Sequence, residues 1–132
     1  MTKVELDGKV AVLIRTNFGA GWSTSADPDE RDLLLFDPDI VDIVLDYNQK
    51  CAQIKQDTHR DVLQIVHERA QLTAEMTQAV QTVYTLKQYK SYVGDMSSLC
   101  VIWIPKGVRF IVHEYDGKEH VEFHDNIDWI TA

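Results

Sequence analysis

Two groups of residues in this chain have the types and spacing to do chemistry. The first is the stretch Asn17-Phe18-Gly19-Ala20-Gly21-Trp22-Ser23-Thr24, which follows an apolar run as phosphate-cradling loops do. Phe18 and Trp22 offer flat faces for a base, and Gly19 and Gly21 allow backbone to come close to a ligand. Asn17, Ser23 and Thr24 add hydrogen-bonding groups, and a base stacked on an aromatic ring is worth roughly 1–3 kcal/mol. The stretch lacks the lysine of a P-loop and the third glycine of the dinucleotide fingerprint. A second reading is equally open at this point: a tight loop whose tryptophan folds back as a plug in the core.

The second group sits around Asp116-Gly117, a pair that supplies the positive φ angles of a two-residue hairpin turn. That turn fixes a register, and register fixes faces. Tyr115 opposes Lys118, Glu114 opposes Glu119, His113 opposes His120, and Val112 opposes Val121. Ile111 then opposes Glu122, Phe110 opposes Phe123, and Arg109 opposes His124. Phe110, Val112, Val121 and Phe123 form an apolar face that must look at the core. The other face carries Arg109, His113, Tyr115, His120, Glu122 and His124. Imidazoles and a carboxylate suit zinc or iron, but Arg109 beside His124 would repel a cation, and no local ligand motif such as HExxH is present. The face also suits an anion or nucleotide, with Arg109 as a phosphate fork, or simply water.

Other catalytic readings are thin. No GxSxG elbow surrounds Ser23 or Ser25, and neither Cys51 nor Cys100 stands in a nucleophile's context. The acidic run at 27–32 lacks the spaced ligands and terminal glutamate of an EF-hand. Arg31 is its one basic member and is placed to pair with acids or reach a ligand. No metal and no cofactor is expected, and the protein is not expected to be an enzyme.

The elements that must position these residues follow from pattern. Lys9–Thr16 (KVAVLIRT) is apolar on both alternating faces until Arg15, which suits a central strand covered twice. Leu33–Phe36 is an apolar run too short for periodicity to assign. Asp37 and Pro38 mark a helix start, one as cap and the other at the first helical position. No glycine or proline occurs from Asp39 to Val93, so most of that stretch is expected to be helical, with a break near Tyr47–Cys51 or Asp57-Thr58. Val62, Ile65, Arg69, Leu72, Met76, Ala79 and Val83 recur by threes and fours, a seam for the sheet or for a partner helix. Gly94 is a natural terminator. Leu99–Ile104 reads as a strand, Pro105-Lys106-Gly107 as a turn, and Ile127–Thr131 as a last short strand. The expected fold is α+β over residues 1–132 as one domain: an antiparallel or mixed sheet, a C-terminal β-hairpin, and a long helix packed on the sheet.

Composition narrows the partners. The chain has 132 residues and a formal charge of −8, from 13 basic and 21 acidic side chains. Long nucleic acid and anionic membranes reward a basic surface, so neither is expected. Two cysteines make no disulfide framework, and the first residues lack the apolar core of a signal peptide. A soluble, cytoplasmic protein with reduced thiols is expected, and its modest size favours oligomers.

Four stretches together, VAVLIRTNFGAGWST, LLLFDPDIV, WIPKGVRFIVHEYDG and the final DWITA, resemble the Thoeris anti-defence proteins of the first type, which phages and prophages encode. They cover both ends of the chain; the long helical stretch between them is not distinctive. The resemblance implies a sponge that sequesters glycocyclic ADP-ribose signals made by TIR-domain enzymes, without cleaving them. It implies a homo-oligomer built from dimers, with the ligand enclosed at a subunit interface in the infected cell. Some members also bind cyclic oligonucleotides at separate sites. The positions that map to the signal site are Phe18 to Thr24 and Arg109, with Arg31 as the second arginine. Asn17, Ser23 and Thr24 then contact ribose or phosphate, and Phe18 and Trp22 stack on the base. Two rival functions are a phage structural or host-protein interaction module using the helix seam, and a metal-dependent hydrolase centred on His113, His120, Glu122 and His124.

Overall fold

The computed structural model describes residues 2–56 and 61–123. Strand β1 (Glu5–Leu6) turns into β2 (Lys9–Arg15), which is apolar at every position from Val10 to Ile14. A pleated strand sends such side chains to both faces, so β2 has to be covered on both. Val10, Val12 and Ile14 enter one core, and Ala11 and Leu13 enter another. Strand β3 (Leu99–Pro105) pairs antiparallel with β2 along its whole length, from Lys9 opposite Pro105 to Arg15 opposite Leu99. The sheet order is β1-β2-β3, so β2 is central, and both sheets of the α+β fold are antiparallel.

Helices cover one face. The Leu33–Phe36 run belongs to a short helix, α1 (Arg31–Phe36), which sends Leu34 into the helical core and Leu35 and Phe36 into the other. Helix α2 (Pro38–Gln56) starts where the sequence places it: Asp37 Oδ1 accepts from the backbone N–H of Asp39 and Ile40, both at 3.0 Å. It runs unbroken through Tyr47–Cys51 and buries Ile40, Val41 and Val44. Helix α3 (Val62–Leu86) has its own cap, Asp61, whose side chain accepts from Gln64 N at 2.8 Å. The stretch without glycine or proline is therefore two helices, while the alternative break at Asp57-Thr58 lies outside the described residues. Of the expected seam, Met76 is buried and Leu72, Ala79 and Val83 are half-buried, but Val62 stands 74% exposed.

Helix α3 stops at Leu86, well before Gly94. Gln88 takes the left-handed conformation at φ 58° instead of a glycine. Two carboxylates hold the segment beyond it. Asp37 accepts from Lys87 Nζ at 2.8 Å and Tyr89 Oη at 2.5 Å, and Glu30 accepts from the N–H groups of Lys90 and Ser91. Asp37 thus caps α2 and anchors the end of α3 at once.

The other face of the sheet is covered by β4 (Phe110–Tyr115) and β5 (Lys118–Phe123). Their six pairs, from Tyr115–Lys118 to Phe110–Phe123, have the register the turn dictates, with Asp116 at φ 50° and Gly117 at φ 84°. Phe110, Val112, Val121 and Phe123 pack inward against Val10, Val12, Ile14 and Ile104. His124 and the expected strand at Ile127–Thr131 lie outside the described residues. Among the described residues no helix is long and apolar enough to cross a membrane.

Candidate functional site

The loop after β2 is built around two side chains from opposite ends of the chain. Arg15 is buried, and its guanidinium turns back along the loop. Nη1 donates to the carbonyl oxygens of Asn17 (2.8 Å), Phe18 (2.9 Å) and Ala20 (2.9 Å), and Nε donates to that of Asp95 (3.0 Å). A planar cation with several donors in fixed directions can gather carbonyls in this way. Glu119, on β5, is 2% exposed. Its carboxylate accepts from the backbone N–H of Arg15 at 2.8 Å, Trp22 at 3.0 Å and Thr24 at 2.9 Å, and from Thr24 Oγ1 at 2.6 Å. Arginine collects the loop's acceptors, and glutamate collects its donors.

Neither residue is among the expected site residues, yet the register contains a signal for Glu119. It shares the inward parity of Phe110, Val112, Val121 and Phe123. A carboxylate aimed at a core must find several donors or pay a large desolvation penalty.

The loop's glycines serve this arrangement. Gly21 is buried; a Cβ there would lie 2.1 Å from Thr24 Oγ1 and 3.0 Å from Glu119 Oε2. Gly94, the expected helix terminator, lies where a Cβ would meet Ala20 O at 1.9 Å and Arg15 Nε at 2.5 Å. Gly19, at φ 113°, donates its N–H to Asp116 O at 2.8 Å, which ties the loop to the hairpin turn. The close approach that these glycines permit is to the chain itself.

Of the nine expected site residues, three come together. Ser23, Thr24 and Arg31 line an open groove of about 610 Å³ between the α1 segment and β4, with Leu35, Phe36, Phe110, His113 and Glu114 among its walls. Phe36 and Phe110 meet edge to face there, with ring centroids 6.3 Å apart. Arg31 is exposed, and its guanidinium makes no hydrogen bond or ion pair among the described residues. Arg109 is next to the groove, not in it: it borders a shallower hollow that shares Phe110 and Ile111.

Trp22 requires a correction. Its ring is 0% exposed in the helical core, its Nε1 donates to Leu34 O at 2.8 Å, and Tyr84 packs at a centroid distance of 6.2 Å. A ring enclosed on all sides offers no face to a base, so it is the core plug. Phe18, by contrast, is 56% exposed, with Lys118 Nζ 5.9 Å from its ring centre. Asn17 is also exposed, and its Oδ1 accepts from Phe18 N at 3.0 Å. These two residues and Gly19 are therefore at the hairpin tip, apart from the groove residues.

The polar hairpin face brings His113, His120 and Glu122 close. His113 Nε2 lies 2.6 Å from Glu122 Oε2, and the His113 and His120 rings stack with centroids 5.4 Å apart. Among the described residues no three histidines, cysteines or carboxylates converge as a metal-holding group. Burial, with the charge of Glu119 nearby, pushes the Cys100 thiol up, the wrong direction for a thiolate nucleophile. Comparison of the chain with protein-family models and curated proteins, and of its fold with solved structures, finds no match.

Proposed function

We propose that the protein captures a small cyclic nucleotide-derived signal of the glycocyclic ADP-ribose kind and holds it without cleavage, as the Thoeris anti-defence resemblance implies. The observation that carries this reading is the groove that gathers Ser23, Thr24 and Arg31 beside the aromatic pair Phe36 and Phe110. Its volume of about 610 Å³ falls in the range that small-molecule sites occupy. An arginine with no partner among the described residues suits a phosphate, the Thr24 hydroxyl oxygen suits a ribose, and an aromatic edge suits a base. In this reading stacking belongs to the half-buried Phe110, backed from the core by Phe36, and to Phe18, and the protein works as an oligomer of dimers. Arg109 supplies a second cation from the neighbouring hollow. Capture needs affinity and enclosure, and no acid–base machinery is called for.

Titration calorimetry against glycocyclic ADP-ribose isomers tests the proposal. Micromolar or tighter binding is expected, weakened at least roughly tenfold by Arg31→Ala, the loss of one charge-assisted contact. Absence of binding by the wild type at micromolar concentrations would sink it.

One observation favours a second reading, an interaction module. Val62, Leu63 and Val66 at the start of α3 are 74%, 81% and 59% exposed, an apolar patch that includes the first residue of the helix seam. An affinity for a host protein that survives Arg31→Ala and is lost on Leu63→Glu would select it.

A further inference from the structure

We infer that Glu119 is a positioning residue for the groove: it fills an anion cradle in the loop after β2 and fixes Thr24 as a hydrogen-bond acceptor toward any ligand. The cradle is visible in its donors. Three backbone N–H groups, of Arg15, Trp22 and Thr24, and one hydroxyl converge on a single carboxylate at 2.6–3.0 Å. Backbone N–H groups that point to one spot form an anion site wherever they occur. Here the anion comes from the same chain, on β5, and is sealed from solvent.

The consequence reaches the groove through Thr24. A carboxylate can only accept, so the hydroxyl hydrogen of Thr24 is committed to Glu119 Oε2 at 2.6 Å. Thr24 lines the groove, and any hydrogen bond its Oγ1 makes to a ligand there can only be as acceptor. A phosphate oxygen, itself an acceptor, has nothing to gain there; a ligand hydroxyl or amine does. Arg31 has the opposite polarity, with donors only and no partner among the described residues. The groove is thus divided, with an acceptor for a sugar hydroxyl at Thr24 and a donor fork for an anionic group at Arg31. This division rests on the proposed ligand capture; the cradle itself does not.

Two measurements keep the two apart. Glu119→Ala empties the cradle, and formate is the small carboxylate that fits it. In thermal melts, sodium formate is expected to raise the midpoint of this variant by about 5 °C or more over equal sodium chloride, and to leave the wild type unchanged. Equal midpoints in the two salts overturn the cradle. Should Glu119→Ala fail to fold in both salts, the wild type carries the test by NMR. The Trp22 and Thr24 amide protons are then expected well downfield and slow to exchange with solvent, and ordinary shifts or fast exchange of either overturn the inference. For the ligand arm, Thr24→Ser is expected to keep the wild-type affinity for glycocyclic ADP-ribose and Thr24→Val to lose roughly tenfold. Equal binding by Thr24→Val and wild type overturns the acceptor role. If the wild type binds no glycocyclic ADP-ribose, the ligand reading and the acceptor role fail with it, and the formate melts still decide the cradle.

Discussion

Replacing Trp22 with alanine separates a plug from a platform, and the structure sets the size of the effect. The ring is wholly enclosed, between Leu34 and Tyr84 and against the apolar face of α2 and α3. Truncating a buried tryptophan commonly costs about 3–5 kcal/mol, because transfer energy is lost and the cavity closes only in part. The Leu34 carbonyl also loses its indole donor, which adds about 1 kcal/mol. A total near 5 kcal/mol is a third or more of the roughly 5–15 kcal/mol that holds a domain together. Urea unfolding followed by far-ultraviolet circular dichroism is the assay, since Trp103 and Trp129 would confuse a fluorescence signal. Trp22→Phe, which keeps most of the volume and loses the N–H, is expected to cost only about 1–2 kcal/mol. If Trp22→Ala stays within about 1 kcal/mol of wild type yet no longer captures ligand, the ring is a stacking surface and the enclosure described above is wrong.

Two further predictions concern the loop and the carboxylates. Gly107 and Gly117 have nearly equal φ angles, 85° and 84°, but a Cβ at Gly107 meets open space while one at Gly117 would sit 1.2 Å from Gly19 O. Gly107→Ala is expected to cost about 1 kcal/mol of backbone strain, and Gly117→Ala at least about 3 kcal/mol by denaturant titration; equal costs refute the seating of the turn on the loop. Burial alone would push the Asp37 and Glu30 carboxyls up, but bonds from Lys87, Tyr89 and Ile40 to the first, and from Ser91 and Lys90 to the second, hold both below the usual range. Carboxyls depressed in the folded state add stability above the unfolded pKa and lose it as pH falls through the folded one. Melting points are therefore expected to be level near neutrality and to drop below about pH 4, less steeply in Asp37→Asn; a profile flat to about pH 3 refutes this.

Local rules were enough for much of the fold. The Asp116-Gly117 turn fixed all six hairpin pairs, because a two-residue loop admits one register. The cap at Asp37 and the double-faced apolar strand β2 were legible for the same kind of reason. What local pattern missed was decided by contacts far apart in sequence. The end of α3 is set at Leu86 because Asp37 and Glu30, some fifty to sixty positions earlier, take hold of Lys87 through Ser91. The groove needs α1 beside β4, a pairing that no window of sequence contains. Arg15 reads as the polar end of a strand until its partners, four carbonyl oxygens, are known.

The glycine-rich loop shows why residue types alone mislead about a site. Glycines beside an aromatic signal close approach, but not what approaches. Here Gly21 makes room for Glu119, Gly117 for the backbone of Gly19, and Gly94 for Ala20 and Arg15. The donors that a phosphate would want are already turned inward onto a carboxylate, and the ring that a base would want is under Tyr84. Under the proposed capture, a ligand at this surface would meet what the loop's internal bonding leaves over: Thr24 and the guanidinium of Arg31, which has no partner among the described residues. The loop's chemistry goes into building the wall of the groove, so under the proposed function recognition falls to the residues just beyond it, on α1 and β4.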